Sequence, residues 1–65
     1  MKSGTVDYRR ADALHPGDRI LVGYEFVEVH DVFRDGWHVV VTWRDQRGTV
    51  RSVTAYPTDQ FEVGR

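Results

Sequence analysis

Three histidines (His15, His30, His38) and two serines (Ser3, Ser52) are the side chains whose types could hold a metal ion or act as a nucleophile in this 65-residue chain. Their spacing supports neither chemistry. A structural zinc site draws on closely spaced ligands, and these histidines are scattered. Neither serine sits in the Gly-x-Ser-x-Gly context that presents a nucleophile on a sharp turn. There is no cysteine, which excludes thiolate ligands, thiol redox chemistry and disulfides. The ten Asp and Glu residues are abundant enough for acid–base work. Strand alternation sends most of them to solvent, however, and so small a domain offers no deep cleft in which to pair two. The glycines stand singly at turns, so no Gly-rich phosphate loop exists. The chain is expected to be no enzyme and to need no metal or cofactor.

The chemistry that remains is recognition. Eight aromatic residues are more than a small barrel can bury. Phe33 and Trp37 flank Asp35-Gly36, and with His38 and Tyr56 they form a candidate partner-binding patch suited to peptide docking or base stacking. The competing expectation is that these rings cap the open end of the core. Arg44, Arg47 and Arg51 gather around a second turn and suit phosphate or an acidic partner. Equally, they keep a solvated hairpin from pairing with neighbouring edges. Of the nine Lys and Arg residues only Lys2 is lysine, a bias read as GC-rich coding. The formal net charge is −1, without the basic excess that phosphate binding draws on. A protein partner is therefore the leading expectation. Single-stranded nucleic acid is the alternative, and a structural part of a phage or larger assembly is a third.

These residues must be positioned by strands. Residues 1–4 read as a loose end, and 1–13 as an N-terminal arm that makes either an edge strand or one helical turn. Pro16-Gly17 signals a tight turn. "DRILV" reads as a strand, and "YEFVEVHDVFR" as a longer β-prone run. Asp35-Gly36 is a hairpin signal of type I′. "WHVVVTWR", the "DQRG" turn and "TVRSVTAY" follow. Pro57 ends that strand, "PTDQ" suits a 3₁₀ turn, and "FEV" closes the fold. With Asp35-Gly36 as the turn pair, Arg34 faces Trp37 and Val32 faces Val39. With "DQRG" as the second loop, Arg44 faces Thr49, Trp43 faces Val50, and Trp37 faces Tyr56.

This register puts Trp37, Val39, Val41 and Trp43 on one face, with Val40 and Val53 as the competing inner pair. An unbroken first hairpin would bury Glu28 and His30, so a β-bulge is expected at His30-Asp31 to bring Val27 and Val29 onto the face of Val32. The predicted core is Leu14, Ile20, Val22, Val27, Val29, Val32, Val39, Val41, Val50, Val53, Phe61 and Val63.

Five strands, two tight hairpins and a turn before the last strand resemble the SH3-like small barrel over residues 14–63, with 64–65 as a tail. The start "L-x-P-G-D-R", with a later "D-G" and "V-x-V", is also similar to small uncharacterised proteins of actinobacteria and their phages. The resemblance implies an all-β, five-stranded antiparallel barrel. It implies no proline-rich peptide binding, because the "ALYDY" stretch and the paired Trp of that class are missing. No run approaches the roughly 20 apolar residues of a membrane span, and "MKSGTVDYRR" lacks the apolar core of a signal peptide. A cysteine-free chain suits the cytoplasm. A thin core and open sheet edges also make a homodimer by strand pairing attractive.

Overall fold

Glycine turns set the register of the hairpins. The structure, a computed structural model, describes residues 6–64. The loose end expected at residues 1–4, with Ser3 and Lys2, lies outside them. Among the described residues the chain forms β1 (Asp7–Arg10), a 3₁₀ turn (Ala11–Ala13), β2 (Arg19–Val22), β3 (Glu25–Glu28), β4 (Asp31–Asp35), β5 (His38–Arg44), β6 (Val50–Ala55) and β7 (Gln60–Gly64). One antiparallel sheet has the order β1-β7-β2-β3 and the other β4-β5-β6.

The protein is all-β, but its described residues form seven strands in two sheets rather than five in a closed barrel. The difference arises in two places. The N-terminal arm supplies both an edge strand, β1, and a 3₁₀ turn. The long run from Glu25 to Asp35 is divided where it passes from one sheet to the other. Val29 exchanges backbone hydrogen bonds with the β2 side, donating to Asp18 O at 2.7 Å and accepting from Gly17 N at 2.8 Å. The next residue, His30, donates to Thr42 O on β5 at 2.7 Å, and Asp31 is paired with the same Thr42. Two residues thus stand against one, the arrangement of a β-bulge, at the position where the hydrophobic pattern required it. Val27 and Val29 are buried and Val32 half-buried, while His30 and Asp31 both face solvent.

The first tight hairpin differs in register from the sequence reading. Asp35 pairs with His38, Arg34 with Val39 and Val32 with Val41, so Gly36-Trp37 is the turn pair. Gly36 has φ 62° and, among the described residues, no residue other than glycine has positive φ, which is the type II′ pattern rather than I′. The shift preserves which residues share a face, and Val39 and Val41 lie inside as expected. The second hairpin shifts by one residue. Arg44 pairs with Val50, Trp43 with Arg51 and Val39 with Ala55. Gly48, at φ 81°, donates to Asp45 O at 2.9 Å while Asp45 N donates to Thr49 O at 3.0 Å. This is a turn followed by a left-handed glycine, and it places one extra residue in the loop. A one-residue slip exchanges the two faces of β6. Val53 and Ala55 therefore face the core. Val50, expected in the core, is exposed, and Val63 is half-buried.

The buried residues are Ala11, Leu14, Ile20, Val27, Val29, Val39, Val41, Trp43 and Ala55, with Val22, Val32, Val53 and Phe61 packed against them. Complete burial of a side chain such as Ile20 contributes roughly 1.5–3 kcal/mol. The expected 3₁₀ turn at "PTDQ" is a β-turn instead. Asp59 N donates to Tyr56 O at 3.0 Å, Tyr56 N donates to Asp59 Oδ2 at 2.9 Å, and Pro57 occupies the second position, where its fixed φ is favoured. Gly64 belongs to β7 rather than to a tail.

Candidate protein-binding face

Because Val39 and Val41 point inward, their neighbours on β5 must point outward. His38, Val40 and Thr42 therefore line the outer face of the β4-β5-β6 sheet. Phe33 pairs with Val40 and shares that face. The Val39–Ala55 pair places Tyr56 next to His38, and their ring centroids are 5.1 Å apart at an interplanar angle of 39°. Phe33 is 48% exposed and Tyr56 59%.

Three of the four residues of the expected patch are thus brought together by the pleat. The fourth, Trp37, occupies the hairpin tip at the end of this face and is 84% exposed. It does not stand opposite Tyr56. The II′ turn moves it out of the ladder, and among the described residues no ring contact joins it to His38 or Tyr56. The rings do not cap the core end. Trp43, by contrast, is 7% exposed and belongs to the core.

The three arginines do not converge. Arg44 lies on the outer face, where its Nη1 donates to Gly48 O at 3.2 Å. Arg51 pairs across from Trp43 and donates to Asp45 Oδ2 at 3.1 Å. Arg47 and Arg51 line a shallow groove with Glu25, Trp43, Asp45 and Gln46. Asp45 organises this end of the hairpin: its Oδ1 accepts from the Arg47 and Thr49 amides, each at 2.9 Å. Desolvation pushes its pKa up, but the Thr49 amide, the Arg51 guanidinium and the Arg47 amide outweigh that and hold it below the ordinary carboxylate value.

A matching device stands at the other end of the chain. Asp18 Oδ2 accepts from His15 N at 2.8 Å and from Arg9 Nη1 at 2.8 Å. Desolvation opposes its ionisation, while the His15 amide and Arg9 outweigh it and lower the pKa. Asp18 thereby closes the Pro16-Gly17 turn and ties β1 to it.

Two features escaped the sequence reading. Tyr24, at the tip of the β2-β3 hairpin beside Gly23, is fully exposed, the same Gly-aromatic arrangement as Gly36-Trp37. The groove containing Glu25 and Trp43 joins residues 18 positions apart, and no local pattern signals it. Among the described residues no group of three or more His, Asp or Glu side chains is placed to hold a metal ion, and no helix is long and apolar enough to cross a membrane. The arrangement offers a mixed face on which Phe33, Val40 and Tyr56 stand among the polar side chains of Asp35, His38, Thr42 and Thr54. No family model, curated protein or solved structure matches the chain.

Proposed function

We propose that this chain is a small non-catalytic binding module for another protein, docking through Phe33, Trp37, His38 and Tyr56. The observation that carries the reading is the projection of Phe33, His38 and Tyr56 from one sheet face with Val40 between them, the Phe33 and Tyr56 rings exposed and His38 half-buried. Aromatic side chains of this kind supply large contact area at little entropic cost. An SH3-like reading of the fold belongs to the same proposal. Its support is that β3 and β4 form one bent run linking the two sheets, which reduces the strand count to five plus the β1 arm. A cytoplasmic setting accords with the absence of cysteine.

Nucleic-acid binding is the weaker reading, because Arg44 and Arg51 are engaged within the hairpin and lie on opposite faces of it. The test is affinity capture from lysate of the native organism with the wild-type chain and with a Phe33→Ser/Tyr56→Ser double variant. The reading predicts a specific protein retained by the first, lost with the second, and still bound at raised salt, while both chains melt alike. Equal capture by both overturns the assignment of this face. Binding of mixed-sequence single strands that collapses steeply with salt would favour nucleic acid instead.

A further inference from the structure

We propose that the free edge of β6 pairs with β6 of a second copy, antiparallel and centred on Ser52. Among the described residues four strands lie at sheet edges: β1, β3, β4 and β6. Edges are commonly protected from pairing by charged residues, and three of these four are. β1 carries Asp7, Arg9 and Arg10, β3 carries Glu25 and Glu28, and β4 carries Asp31, Arg34 and Asp35. β6, with the sequence VRSVTA, carries only Arg51, and that charge is matched by Asp45. No proline interrupts it.

The hydrogen-bond phase of β6 determines which backbone groups are available. Asp45 and Thr49 occupy a hydrogen-bonded position. Such positions alternate along an antiparallel ladder, so Arg51, Val53 and Ala55 bond toward β5. The other side of β5 agrees: Thr42, opposite Ser52, uses its carbonyl toward His30 on the β4 side. Val50, Ser52 and Thr54 therefore direct their N–H and C=O groups to the free edge, and all three residues are exposed. Among the described residues no strand pairs there.

These three positions are symmetric about Ser52. A two-fold axis at that residue sets Ser52 against Ser52 of the second copy and Val50 against Thr54, each a hydrogen-bonded pair. β-Branched and hydroxyl side chains suit such cross-strand positions, and Arg51 would stand across from Val53 rather than from another arginine. This self-complementarity is why a second copy is the occupant. The product is a six-stranded sheet with both aromatic faces on the same side, since the axis is perpendicular to the sheet, and so a bivalent docking surface. A six-residue edge buries less than the roughly 1,000 Å² of a stable specific interface, so the dimer dissociates on dilution.

The experiment combines sedimentation velocity over a concentration series with amide hydrogen exchange of the intact chain. The proposal predicts a mass that rises toward the dimer, together with about ten-fold or greater slowing of exchange at Val50, Ser52 and Thr54 as concentration increases. Arg51, Val53 and Ala55 should be protected throughout. Ser52→Lys, at an exposed position, sets two like charges face to face on the axis; it should remain monomeric at every concentration while melting like the wild type. Three results would overturn the proposal: a monomer at millimolar concentration with those three amides unprotected, protection independent of concentration, which would mean the chain covers its own edge, or a dimer that survives Ser52→Lys. A monomer that gains this alternating protection only on adding an extended peptide would also overturn it, assigning the edge to a foreign strand.

Discussion

The His38 imidazole and the Tyr56 phenol lie 5.1 Å apart, tilted by 39°, and this pair marks the end of the β4-β5-β6 sheet from which the exposed aromatics project. The stack exists because Gly48 inserts one residue into the β5-β6 loop. Without it, Tyr56 would turn to the core side. Tyr56→Leu should therefore remove a ring-current shift from the His38 ring protons while leaving the amide spectrum of β2 and β7 unchanged. A proton spectrum of the two chains decides this. An unchanged His38 resonance would mean the rings do not stack in solution.

The two tryptophans should behave oppositely. Trp43 is 7% exposed and Trp37 84%. Trp43→Ala should cost about 3–5 kcal/mol, enough to unfold a domain of this size at room temperature. Trp37→Ala should change stability by no more than about 0.5 kcal/mol. Chemical denaturation measures both. Emission from the Trp37→Phe chain should be blue-shifted relative to that of the Trp43→Phe chain, provided the latter stays folded.

Gly36→Ala tests the type II′ turn. Nothing stands within 4 Å of the added carbon, so the cost is conformational only, about 1–2 kcal/mol for a left-handed φ. A thermal melt should register the loss with the spectrum of the folded state preserved. A stability gain would show that the turn adopts another form.

Acid should loosen the molecule through Asp18 and Asp45. Both carboxyls are held below their ordinary value of 3.8. A folded-state pKa below the unfolded one gives stability that is complete well above 3.8 and is lost as pH falls through the lowered folded values. Melting temperature should thus be level near neutrality with respect to these two groups and should decline below about pH 4. Asp45→Asn should lower stability at pH 7 and flatten part of the acid decline. Melting curves from pH 7 to pH 2 measure both effects. An acid limb identical to the wild type would remove Asp45 from the account.

Much of this fold is legible in short patterns, because period-two alternation and turn residues act locally. The strands around Ile20, Val27, Val39 and Val53 follow from β-branched runs between glycines. The bulge at His30-Asp31 follows from the conflict between burying Glu28 and burying Val27. The aromatic candidates Phe33, His38 and Tyr56 are readable as residue types, but their shared face is not: the register expected from the sequence sets Tyr56 opposite Trp37 on the inner side, and the one-residue slip of β6 turns it outward beside His38.

What the amino-acid order determined by itself was the class of fold, the position of the turns and most of the core, through apolar spacing and glycine placement. Tertiary structure alone decided the register of both hairpins, because a type II′ turn and a G1 bulge differ from their alternatives only in backbone torsions that many sequences tolerate. It also decided the division of Glu25–Asp35 between two sheets, set by the bonds of Val29 to Asp18 and of His30 to Thr42. The separation of Arg44 from Arg51 has the same origin. Neighbours on a hairpin share a face only when the ladder phase allows it, and one residue in the loop reverses that phase.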